Sequence, residues 1–456
     1  MRRFLLPFYL VLSGCVPSTP SDMPSRAQTQ SVAGNLPAVK VFSAPRPTPS
    51  LRANSDIARD FLELSFNLES GRSLPVLTRF EGPISVRVTG KPSAGLGSDL
   101  SRLLHRLRTE ARIDIKQNQA ENANITIEAV SRKEIRAMLP QAACFVAPNV
   151  SSLAQYKLAR RTSLVNWTSL RERKRLAIFL PNDSSPQEVR DCLHEELAQA
   201  LGPLNDLYRL PDSVFNDDNV HTVLTGFDML ILRAYYDRSL HNGMSKRQVA
   251  ERIGGILSRV NPRGAQYAPR RLTRTPRSWI NSIQRALGPG AGQNERLRAA
   301  HEAMQIAVAM GWNDHRRAFS HYAMGRLNMS SDLKKAREHF AIAARIYGQD
   351  PSTRLHAAYA ASQLASFYIA EGDGNAALRQ IGPHLDTAGR YENAALMSTL
   401  MLQRAEALDL AGRTSEARTI RMDSLGWARY GFGPDWAVRA KLREISSLSP
   451  LKRGRG

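Results

Sequence analysis

The spacing of apolar residues changes character along this chain and divides it into regions. Between residues 54 and about 240, helical and strand patterns alternate. Ile57, Phe61 and Leu64 recur at helical spacing and predict a helix over residues 56–68. Residues 84–88 alternate apolar and polar between Gly82-Pro83 and Gly90, which predicts a strand. Leu100, Leu103, Leu104 and Leu107 predict a helix over 99–112, and residues 124–130 alternate again. Residues 163–168 and 175–180 read as two further strands flanking a charged turn. This mixed order predicts an α+β region.

From about residue 295 the pattern is helical alone. Ala336, Ala377 and Ala417 recur at spacings of about 40 residues. The segment LASFYIAEGDGNAAL (364–378) aligns without a gap on RAEALDLAGRTSEAR (404–418). Each reads as an alanine-rich helix, a glycine turn and a second helix, so about three stacked helical hairpins fit between 316 and 430. Residues 246–294 hold one helical stretch, 246–260, and a Pro/Arg-rich connector, and a basic tail follows residue 447.

The best-marked helix follows the 175–180 strand. Ser185 is a natural N-cap, Pro186 suits the first helical position and Glu188 would complete a capping box. Gly202 would supply a left-handed stop, with Pro203 after it. Val189, Leu193, Leu197 and Leu201 form a core stripe, beside a stripe of Glu188, Cys192, Glu195 and Gln199. Residues 195 and 199 are four apart and meet on one face, the spacing that two zinc-binding histidines need.

The first fifteen residues change the picture of where the protein works. Arg2 and Arg3 precede a short apolar run, 4–12, and Leu12-Ser13-Gly14-Cys15 matches a lipobox, which marks Cys15 for lipidation. Val16 is not the aspartate that retains lipoproteins in the inner membrane, so by resemblance to sorted lipoproteins the periplasmic face of the outer membrane is expected. Residues 16–53, rich in Pro, Ser and Thr, read as a tether. Cys144 and Cys192 are an even pair in an oxidising compartment, which suggests a disulfide, with two buried reduced thiols as the alternative. The formal net charge of +22 favours acidic partners. In an exported protein these are anionic lipid, lipopolysaccharide or acidic proteins, and no nucleic acid. The basic clusters at 157–161, 171–175 and 263–277 also fit a plain solvated surface.

The segment HEELAQALGPLNDLYRLPDSVF (194–215) resembles the active-site helix and Met-turn of metzincin zinc proteases. In that resemblance Glu195, Gln199 and Asn205 stand at the three metal-ligand positions and Glu196 at the general base. Gly202 stands at the turn and Phe215 at the Met-turn position. A competing frame, His194-Glu195, puts Ala198 at the second ligand. Residues 225–236, TGFDMLILRAYY, resemble the closing helix of matrix-type zinc proteases. The resemblance implies a zincin-like α+β fold that has lost its metal ligands, so no cofactor is expected, zinc included. His194 faces elsewhere on the helix, and no role is given to His221 or His241.

The stretch 54–245 is also similar to domain-of-unknown-function family 2927, a group of proteobacterial lipoproteins. The shared marks are LTRFEGPISVRVTG (77–90), EELAQALG (195–202), SVFND (213–217) and FDMLILRAYYDRSLHNGM (227–244). The later helices resemble tetratricopeptide-type repeats. Together these lead to an expected scaffold without catalysis, anchored through Cys15, that binds envelope proteins or peptides through its repeats. The alternative is a divergent metallopeptidase or amidase with Glu196 as general base.

Overall fold

Five strands carry the first region. In a computed structural model, which describes residues 36–42, 47–270 and 272–452, the elements run α1 (Asn54–Phe66), β1 (Ile84–Gly90), α2 (Leu96–Thr109), β2 (Ile115–Gln117), β3 (Ile125–Val130), α3 (Arg132–Met138), β4 (Phe145–Pro148), α4 (Leu153–Ala159), β5 (Leu176–Pro181), α5 (Pro186–Leu201), α6 (Gly226–Tyr235) and α7 (Lys246–Val260). The sheet order is β2-β1-β3-β5-β4. Only β4 runs antiparallel, on the edge beside β5, with Phe145 opposite Phe179 and Ala147 opposite Ala177. Every residue of β5 is buried, as a strand covered on both faces requires. Its alternate residues sort onto two cores. Leu176, Ile178 and Leu180 join the main core with α1, α2 and α5–α7, while Ala177 and Phe179 face a smaller core under α3 and α4.

Several expected elements differ. Residues 163–168 form two short 3-10 turns, Ser163–Val165 and Trp167–Ser169, and the strand beside β5 is Phe145–Pro148 instead. Asn166 and Thr162 explain the turns: each side chain accepts from the backbone two residues on, which competes with strand pairing. The helix 246–260 belongs to the first core through Val249, Ile253, Ile256 and Leu257, not to a connector. The tether ends earlier than expected. Arg52 is buried, Lys40 N donates to the Gly426 carbonyl, and the Phe42 ring lies 4.5 Å from that of Trp427. Cys15 lies outside the described residues.

The second region is helical: α8 (Arg277–Leu287), α9 (Gln293–Ala309), α10 (His315–Asn328), α11 (Leu333–Tyr347), α12 (Arg354–Glu371), α13 (Gly374–Ile381), α14 (Leu385–Arg390), α15 (Ala394–Leu410), α16 (Thr414–Phe432) and α17 (Asp435–Ser446). It begins at Arg277, ahead of residue 295, because Trp279 and Ile283 pack against α9 and α10. The two aligned segments take the same form. Gly372 and Gly412 both sit at positive φ between paired helices, and Ala377 and Ala417 are fully buried where the second helices pack.

From Pro37 onward the chain forms one compact unit. The segment 203–225, between α5 and α6, binds the two regions together. Tyr208 packs with Trp279 and Phe319, and Val220 packs with Leu355 and Leu396. The residue numbers at which secondary structure changes are therefore not gaps in packing.

Candidate functional site

Helix α5 starts as its sequence dictates, with the Ser185 hydroxyl accepting from Glu188 N and Pro186 in the first turn. The reciprocal half of the expected capping box is absent. Glu188 turns its carboxylate to Arg132 Nη2 at 2.8 Å, a charge-assisted bond that outcompetes a backbone amide. Nor does Gly202 end the helix in the left-handed region, since its φ is −170°. Glycine is needed there for space: a Cβ would stand 3.0 Å from the Tyr235 ring. The C-terminal carbonyls are capped by Arg173, buried and donating to Gln199 O (2.6 Å), Ala200 O (2.8 Å) and Gly202 O (2.5 Å). Arg173 looks in sequence like one more charge in the 171–175 cluster. Only its position one strand away from the helix end reveals the cap.

The core stripe Val189, Leu193, Leu197 and Leu201 is buried as expected from its period. Cys192, on the neighbouring stripe, is bonded to Cys144 at the start of the edge strand, with Cα atoms 5.9 Å apart. The N-terminal half of α5 meets the second region. Arg190 Nη1 pairs with Glu392 at 2.9 Å, its guanidinium lies over the Phe42 and Tyr430 rings, and Gln187 bonds the backbone of Ala395.

The positions implied by the metzincin resemblance come together at the C-terminal half. Gln199 is buried, and its Nε2 donates to Glu69 Oε1 at 3.4 Å. Asn205 Nδ2 donates to the Glu63 carbonyl at 3.1 Å. Asn205 and Asp206 line a cleft of about 370 Å³ with Glu63, Glu69 and Tyr208, and with Arg274 and Arg277, the latter the first residue of α8. Glu195 is half-buried. Glu196 is 95% buried by its 5% exposure, and its Oε2 has no hydrogen-bond partner; Asp206 Oδ1 has none either. Phe215 is fully enclosed in the core beneath this segment.

Burial dominates the electrostatics here. It raises the Glu196 carboxyl to about 8, with the nearby Glu69 charge adding to the effect. Glu195 is pushed well up by burial, then by Asp206 and Glu196, and Asp206 by burial, then by Glu69. Asp191, one turn earlier, rises to about 7 through burial. Burial thus favours the protonated form of Glu196 around neutral pH.

Zinc does not fit these positions. They offer one carboxylate and two neutral amides, which could reach a metal only through weakly ligating oxygens, where zinc takes imidazole, thiolate or carboxylate. No histidine supplements them. His194 Nδ1 accepts from Leu224 N, His221 Nε2 lies 2.9 Å from Pro211 O, and His315 Nε2 lies 2.6 Å from Tyr208 O. Among the described residues no group of three His, Cys, Asp or Glu side chains is arranged to hold a metal ion.

One partner of the site escaped sequence reasoning. Asp228, at the start of α6, accepts from Val214 N, Thr225 N and Ser213 Oγ, and so fixes the turn that carries Phe215. The signal was present as a capping box, Thr225 to Asp228, but its reach back to residue 213 is tertiary.

With this geometry in view, residues 54–254 match the family model described as "Protein of unknown function (DUF2927)". That stretch covers the sheet, α5, α6 and most of α7. No curated protein and no solved structure matches the chain.

Proposed function

We propose that this protein is a lipoprotein of the bacterial envelope that binds proteins or peptides without turning them over, acylated on Cys15 at the periplasmic face of the outer membrane. The observation that carries the reading is the state of the candidate site. Glu196 is enclosed, with no partner for its Oε2 and with burial favouring its neutral form, and neutral amides at 199 and 205 stand where a zinc site would need stronger ligands. We read the first region as a zincin-like body that has lost its chemistry, and the helix pairs of the second as tetratricopeptide-like.

Much of the second region's inner surface is taken by the chain itself. His356 Nε2 bonds Asp218 at 2.8 Å and Val220 enters the core beside Leu355. What remains open is a groove of about 1160 Å³ where the regions meet, lined by Tyr208, Asp217 and Asn219 on one side and Asn281, Phe319 and Arg326 on the other. A groove of this size accommodates a peptide segment. We assign partner binding to it.

The test is photo-cross-linking from position 281 in the groove and, as a control, from Lys334 on exposed α11, combined with zinc analysis of the purified protein. Cross-links confined to position 281, retained in Glu196→Ala and reduced at least tenfold by Arg326→Glu, are the expected result. Stoichiometric zinc that disappears in Glu195→Ala/Gln199→Ala would overturn the reading and favour the peptidase or amidase alternative.

A further inference from the structure

The outer side of α4 and the turns after it present cations and leucines that no described residue covers. Tyr156 and Ala159 point inward to the small core, which turns Lys157, Leu158 and Arg160 outward. Leu158 is 84% exposed, and Leu164, in the next turn, is 49% exposed. Arg161 is exposed beside them. No acidic residue occurs between Glu134 and Glu172; the bordering carboxylates are engaged elsewhere, Glu128 accepting from Leu153 N and Glu172 pairing with Lys174, and among the described residues no ion pair holds Lys157, Arg160, Arg161 or Arg171. An open polar cleft of about 260 Å³ adjoins, lined by Asn149, Ser163, Asn166, Ser169 and Arg171, and by Glu172 and Lys174, which pair with each other.

We propose that this face docks on an anionic phospholipid bilayer. The two halves of the argument are independent. Unpaired cations near an anionic surface are attracted through several ångströms of water, by about a factor of five each at modest salt. A leucine standing almost wholly in water gains by entering the headgroup boundary, which a purely electrostatic site would not exploit. The adjoining cleft supplies hydroxyl, amide and guanidinium donors of the kind that phosphate oxygens accept from. A polyanion such as a strongly acidic protein segment would satisfy the cations, but it would gain nothing from Leu158 and Leu164 standing exposed among them. The proposal does not depend on what the groove between the regions binds.

The test uses residues 37–456, one compact unit without the acyl anchor. Co-sedimentation is measured with phosphatidylcholine vesicles, with and without one-third phosphatidylglycerol. Binding only to the anionic vesicles is expected, weakened about 100-fold by Lys157→Gln/Arg160→Gln/Arg161→Gln. Leu158→Ser should weaken it about tenfold. All four side chains are exposed, so unchanged thermal unfolding checks that the variants fold. Removing Lys246, Arg247 and Arg252 from α7 is the control, and it should change binding little. Equal loss in that control would overturn the proposal in favour of a uniform effect of net charge. So would absence of binding to anionic vesicles. Equally tight binding to polyglutamate, insensitive to Leu158→Ser, would overturn it in favour of an acidic protein.

Discussion

Two groups of buried charge border the same cleft and behave in opposite ways. On one side Arg209 lies between Asp60 and Glu63, with bonds of 2.7 to 2.9 Å, and Arg52 reaches Asp60 from the far side. Burial alone would lower the Arg209 guanidinium, but the two carboxylates outweigh it and hold it above its ordinary value. On the other side Glu195, Glu196 and Asp206 are gathered without a cation among them, and burial drives all three toward the neutral form. The difference shows what each group is for. A compensated network holds α1 against the segment after α5. An uncompensated one is tolerated only by keeping its protons.

The comparison can be broken most forcefully from its paired side. Arg209→Met leaves Asp60 and Glu63 buried without their main partner and is expected to cost about 3–5 kcal/mol in chemical denaturation. A cost under about 1 kcal/mol would show that Arg52 alone suffices. On the unpaired side the effect is smaller and depends on pH. A carboxyl whose folded value exceeds its unfolded one binds its proton more tightly in the folded chain. The Glu196 contribution is thus complete below about 4.5 and is lost as pH rises to about 8. Glu196→Gln keeps the neutral shape, so it should flatten that slope and add about 1–3 kcal/mol at pH 8. An unchanged slope would place the titration elsewhere. The mildest probe is Gln199→Leu, which removes the amide that lowers Glu69. It should shift stability by less than about 1 kcal/mol while steepening the decline with pH.

How much of this was legible in the sequence follows from the range of the forces involved. The helices α1, α2, α5 and α7 and the strands β1, β3 and β5 were visible because their apolar residues repeat at the period of the element. The helical pairs showed in the same way, down to glycines at equivalent turns. Short β2, β4, α3 and α4 were missed, because three to seven residues give too few repeats to establish a period. At the site, helical spacing grouped Glu195 with Gln199, and Glu196 and Asn205 were added only by resemblance to a protease motif; the fold brings the four to one region. The sequence could not show Glu69 or Asp228, whose contacts cross 130 and 14 residues. Nor could it show that Arg173 in a basic cluster is a buried cap.

The bond between Cys144 and Cys192 adds a matter of timing. It closes a loop of 48 residues that contains α4, β5 and the basic face, and ties α5 to the sheet's edge strand. Such a cross-link restrains the unfolded chain by about 4 kcal/mol, and it forms only where an oxidant is present. A chain still in a reducing compartment lacks that restraint and is held by packing alone. Its candidate helix would thus become fully secured only once the two thiols are oxidised, so oxidation, not synthesis, would set when the assembled surfaces appear.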